Sequence, residues 1–96
     1  MKILKISLDK KEFKLKLSFR ALMEFERFTG KSANKMGDGV TDLLKMLYCS
    51  LKVNNKDSFN YKFDEFVDLI DDSPHIVEQF STFVEEEAKE EAKEGK

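Results

Sequence analysis

Between Lys16 and Phe19 the apolar pattern changes its period, and that change sets the order of elements. Before it, Leu4, Ile6 and Leu8 alternate with Lys5 and Ser7, and Phe13, Leu15 and Leu17 alternate with Lys14 and Lys16. A period of two puts apolar side chains on one face and basic ones on the other, the pattern of a half-buried strand. The polar link Asp9-Lys10-Lys11-Glu12 is short enough to fold the two runs into an antiparallel β-hairpin. Lysines along the outer face discourage an open strand edge from pairing with other chains.

After Ser18, a suitable N-cap, the period becomes helical through Phe19, Ala21, Leu22, Met23, Phe25 and Phe28, and it stops at Thr29-Gly30. These residues cover about 220° of the helix, wider than one contact requires. The helix should pack on the hairpin with one side and on other helices, or another molecule, with the next. Lys31 to Gly39 reads as a flexible loop. Gly37-Asp38-Gly39 has neither the preceding strand nor the Gly-Lys-Ser/Thr of a phosphate loop. Val40, Leu43, Leu44, Leu47, Tyr48 and Leu51 then form the stripe of a second helix, with Thr41 or Asp42 near its N-cap and Asn54-Asn55 as its stop. Cys49 lies opposite that stripe and reads as a surface thiol.

A third helix follows Tyr61, with Phe63, Phe66, Val67, Leu69 and Ile70 opposed by Asp64, Glu65, Asp68, Asp71 and Asp72. Ser73-Pro74 marks a boundary, because proline suits the first position of a new helix. Ile76, Val77, Phe80, Phe83 and Val84 define the fourth. Its stripe fails at Glu87. The stretch after Glu85 has the propensity and pairs, such as Glu85 with Lys89, to stay helical, and it is expected to fray into an acidic tail. The predicted fold class is therefore α+β: an N-terminal antiparallel hairpin followed by about four helices. Residues 1–86 form a single domain and 87–96 a charged tail.

Chemistry is sparse in this pattern. One cysteine excludes an internal disulfide and any CxxC motif. Asp68, Asp71 and Asp72 share a solvated face, whereas a catalytic carboxylate pair needs one member desolvated. They also lack the alternating oxygen ligands and central glycine of a calcium loop. His75 has no serine or cysteine placed to form a recognisable nucleophile and base motif. The expectation is no enzyme, no cofactor and no metal. Lysines 2, 5, 10, 11, 14 and 16 invite phosphates, but Phe13 belongs to the apolar face and is not free to stack on a base, which makes nucleic acid an unlikely partner. No run approaches the ~18 apolar residues of a membrane span, and the N-terminal stretch lacks a signal-peptide core. A cytoplasmic protein without membrane contact is the expectation.

Two features point to binding. The net charge of -2 conceals a gradient, with seven basic against two acidic groups in residues 1–20 and twelve acidic against three basic in 64–96. Copies stacking head to tail, basic end to acidic end, are one consequence. Nine Phe and two Tyr in 96 residues mean either an aromatic-rich core or an apolar patch left for a partner. Phe66, Ile70, Phe80 and Phe83 are the candidates for an oligomer or client surface. On that reading a charge at Phe80 abolishes binding and leaves the fold intact.

The order of elements resembles the small tail assembly chaperones of long-tailed bacteriophages and prophages of Gram-positive bacteria. The resemblance covers about Ile3 to Phe83. It rests on Phe13-Lys14-Leu15-Lys16-Leu17, on Leu22-Met23-Glu24-Phe25-Glu26 running into Phe28-Thr29-Gly30-Lys31, on Leu43-Leu44 reaching Tyr48, and on Phe63-Asp64-Glu65-Phe66 followed by Leu69-Ile70-Asp71. It implies a non-catalytic homo-oligomer that keeps the long helical tape measure protein soluble in the host cytoplasm. Such a protein helps load tail tube protein and is absent from the mature virion. Families of this kind often make a longer form by frameshifting, which would join near Glu85. A small phage-encoded regulatory or nucleic-acid-associated module, using the lysine hairpin or the acidic half, is the alternative.

Overall fold

The hairpin turns on two residues. In the computed structural model, which describes residues 2–32 and 39–94, β1 (Leu4–Leu8) and β2 (Lys11–Leu15) pair antiparallel with Leu8 opposite Lys11. Asp9 and Lys10 alone reverse the chain, at φ of 52° and 62°. Positive φ at both central residues is what a type I′ turn requires, and its twist matches that of the strands. The register sets Leu4 against Leu15 and Ile6 against Phe13 on the inner face, and Lys5 against Lys14 and Ser7 against Glu12 on the outer. Alternation thus predicts the strands correctly. The link is shorter than its polarity suggests, because Lys11 and Glu12 are already paired.

α1 (Phe19–Thr29) begins where the period changes. Ser18 Oγ accepts from the Ala21 N–H at 3.2 Å, and Gly30, at φ 76°, closes the helix by donating its N–H to the Glu26 carbonyl at 2.8 Å. The left-handed cap is cheap for glycine and costly for a residue with a Cβ. Of the flexible loop predicted over Lys31 to Gly39, residues 33–38 lie outside the described residues. α2 (Val40–Asn54) is capped by Gly39, with Thr41 and Asp42 near the cap in its first turn. Asp42 is buried there, with the Lys31 ammonium 2.7 Å from its carboxylate. A carboxylate there also meets the positive end of the helix dipole.

α3 (Phe63–Asp72) starts with the Lys62 N–H donating to Glu65 Oε1 at 2.9 Å, and Ser73 ends it. α4 (His75–Glu94) follows Pro74 and continues to Glu94. The backbone is therefore helical through most of the predicted tail, the outcome that the propensity of Ala, Glu and Lys favours.

α2 is the axis of the molecule, touching β2, α1, α3 and α4, with α1 its most extensive neighbour. Every residue from Met46 to Leu51 is buried as a result. The stripe read from sequence is only one of its packed sides. Cys49 is a correction to that reading: it is 1% exposed and belongs to the core, because α1 covers the side opposite the stripe. The inner face of the hairpin (Leu4, Ile6, Leu8, Phe13, Leu15) closes the core from one side, with α4 supplying Ile76, Phe80 and Phe83.

Candidate interaction surface

The four side chains expected at a partner surface are in the core. Phe66 and Phe80 are 0% exposed, and Ile70 and Phe83 are 5% exposed. Each apolar face is met by a neighbouring element, since α3 packs on α2 and α4 on both α2 and β1. The stripes of the third and fourth helices are thus used up within one chain.

Most of the aromatic load is accounted for in the same way. Edge-to-face and tilted ring contacts run from Phe13 through Phe59 (5.5 Å between centroids) to Tyr48 (5.6 Å), and from Tyr48 to Phe63 (5.4 Å), Phe66 (5.5 Å) and Phe28 (5.6 Å). Such pairs add about 0.5–1.5 kcal/mol each beyond the area they bury. The Tyr48 hydroxyl donates to the Tyr61 carbonyl at 2.7 Å. Its pKa is raised, first by burial and then by Cys49 and Glu65. Phe13 is 1% exposed, so the lysine hairpin carries no aromatic free to stack on a base.

Phe19 is what the core leaves over. It is 83% exposed, with Met23 at 50% on the next turn of α1 and Val40 at 60% at the start of α2. At about 100° per residue, Phe19 and Met23 lie within about 40° of each other, while Ala21 and Phe25 lie about 200° and 240° from Phe19. Ala21 and Phe25 are the buried residues of α1. The broad apolar arc is really two narrow ones facing opposite ways. A helical wheel therefore contained the signal for this patch, which the total arc width concealed.

Ile3 (60%) and Phe28 (44%) are also exposed, apart from that pair, and charged side chains dominate the outer faces of the hairpin and α3. Lys5, Lys14 and Lys16 are exposed on the hairpin, and Asp64, Asp68, Asp71 and Asp72 are exposed on α3. The ends of the charge gradient meet within one chain, where the Lys2 N–H donates to Glu87 Oε1 at 3.0 Å and its ammonium lies 4.0 Å from Glu86. An open groove of about 510 Å³ runs between Leu4 and the α4 residues His75, Gln79 and Phe83. A second, of about 390 Å³, is bordered by Lys52, Lys56 and Lys62 over Tyr61.

Neither groove brings together a nucleophile and a base. Burial pushes the Cys49 thiol up to about 11, with the nearby Glu24 carboxylate adding to the effect and Lys52 opposing it. That thiol is protonated at neutral pH and shielded from solvent, the reverse of an activated nucleophile. Among the described residues no cluster of three or more His, Cys, Asp or Glu side chains is placed to hold a metal ion, and no helix is long and apolar enough to cross a membrane. No known protein family, curated protein or solved structure matches the chain.

Proposed function

We propose that this chain is a non-catalytic binding protein that shields apolar helical segments of another protein, in the manner of a phage tail assembly chaperone. The observation that carries the reading is the pair Phe19 and Met23, exposed together on one side of α1, with Phe19 the most exposed of the large hydrophobic side chains among the described residues. An apolar ridge of that kind fits against the apolar face of a client helix. The hairpin followed by four helices is the order of elements on which the resemblance described above rests. On this reading the client is the tape measure protein, tail tube protein is recruited around it, and several copies associate to cover its length. The complex belongs to the host cytoplasm and leaves the assembled particle.

The test is coexpression with the client this reading requires, a very long helical tape measure protein encoded beside this chain. Wild type keeps that client soluble, whereas Phe19→Glu combined with Met23→Glu releases it into the insoluble fraction with the melting temperature of the chaperone itself unchanged within a few degrees. Equal client solubility with both forms, or insolubility with both, overturns the proposal. A salt-sensitive shift of labelled DNA by the wild type would support the regulatory alternative instead.

A further inference from the structure

Lys14 shows which strand residues turn their backbone outward. Its N–H donates to Asn55 Oδ1 at 3.4 Å and its C=O accepts from Asn55 Nδ2 at 2.6 Å, so both point away from β1. In an antiparallel ladder the residue opposite turns its own N–H and C=O to the other edge. That residue is Lys5, and Ser7, opposite Glu12, repeats the orientation. Among the described residues the sheet has two strands, β1 and β2, and no other described element pairs with the far side of β1. The β2 edge is closed by Asn55, with Asn54 Nδ2 donating to the Lys16 carbonyl at 3.2 Å. The β1 edge presents a row of two donors and two acceptors.

The two flanks of that edge differ in chemistry. On the outer face Lys5 and Lys14 stand directly opposite each other, a like-charge pair that an adjacent anion would relieve. On the inner side, at the Leu4 end, lies the groove whose apolar part is Leu4 and Phe83 and whose wall carries Glu78 and Glu86, so this flank accepts the apolar side chains and not the acidic ones. A strand laid along β1 would set alternate side chains over the lysines and into that groove. We infer that the open edge of β1 accepts an extended segment of another protein in which acidic residues alternate with apolar ones. A second copy of β1 is the wrong occupant, because its own Lys5 would join a face that is already basic. The edge lysines thus exclude self-pairing and select an acidic strand. This surface is separate from the α1 ridge, and the inference does not rest on the chaperone reading.

The experiment titrates the ¹⁵N-labelled full chain with a blocked heptapeptide alternating Glu and Val, and in parallel with one alternating Lys and Val. The Glu/Val peptide shifts the Lys5 and Ser7 amides, slows their hydrogen exchange, and binds at least about tenfold more tightly than the Lys/Val peptide. Ser7→Pro removes one outward donor without touching the ladder, since the Ser7 N–H is not used against Glu12, and weakens Glu/Val binding about tenfold. Lys5→Glu with Lys14→Glu reverses the preference between the peptides and keeps the test open should the proline variant fail to fold. Unshifted Lys5 and Ser7 amides at millimolar Glu/Val peptide, or equal binding of the two peptides, overturns the inference.

Discussion

The Tyr61 hydroxyl donates to Asp9 Oδ2 at 2.7 Å, joining the segment before α3 to the hairpin turn across 52 residues of sequence. The bond to the carboxylate, helped by partial burial and by the charge of Glu65, raises the phenol pKa above its ordinary 10.0. Ionising the phenol removes the donor and sets two negative charges together. Asp9→Asn should therefore bring the titration of Tyr61 back toward 10.0. Difference absorbance of the phenolate, with Tyr61→Phe identifying the signal, checks this.

Lys10 occupies a left-handed conformation at φ 62° with a Cβ that the conformation does not favour. Lys10→Gly should raise stability by about 0.5–1 kcal/mol, the relief of strain outweighing the added freedom of the unfolded chain. The reading is an upward shift of the urea midpoint with an unchanged slope. Asp9 is left in place because Tyr61 uses it.

Asn55 acts as a short substitute for a third strand beside β2, and its Nδ2 also lies 3.0 Å from the Leu51 carbonyl. Asn55→Ala should cost about 1–2 kcal/mol and speed hydrogen exchange at the Lys14 amide. Asn60→Ala, which removes one exposed hydrogen bond to the Asp57 carbonyl at 3.3 Å, serves as the control with little effect on either measurement.

Phe80 is fully buried, so its truncation leaves a cavity where the hairpin, α2 and α4 converge. Phe80→Ala should cost about 3–5 kcal/mol, and Phe80→Glu should abolish cooperative unfolding altogether. Circular dichroism melts of the two variants beside Phe19→Glu, which should melt like wild type, separate core from surface.

Cys49 makes stability fall at alkaline pH. Its folded pKa, about 11, lies above the ordinary thiol value of 9.0. Between those values the unfolded chain releases a proton that the folded chain retains, so stability is complete below pH 9 and declines as pH rises toward 11. The raised pKa values of Tyr48 and Tyr61 act in the same direction above 10.0. Cys49→Ala should remove on the order of 2 kcal/mol from that decline, measured by urea unfolding at pH 8 and pH 11. In the native state below pH 9, alkylation of Cys49 should proceed only as fast as the protein opens.

Local chemistry was legible in the residues that use it locally. The alternation around Lys5 and Lys14, the Ser18 cap, the Gly30 stop and the Pro74 boundary each act within a few positions of themselves. They predict a hairpin and four helices without reference to the rest of the chain. The partner surface was not legible in this way. Phe66, Ile70, Phe80 and Phe83 have the same amphipathic spacing whether a stripe meets a neighbouring helix or a client. Phe19 was hidden because an apolar arc has a width in sequence but acquires a direction only when α2 takes one side of it.

By itself, then, the sequence determined the order, type and caps of the elements, because hydrogen bonding, left-handed φ and side-chain period depend on neighbours along the chain. Tertiary structure decided that α2 is enclosed on several sides, that Cys49 is core, that the aromatic load is spent mainly inside, and that Phe19 and the β1 edge face outward. Burial depends on which faces meet across the molecule, and residues as distant as Lys14 and Asn55 become neighbours only once the chain has folded.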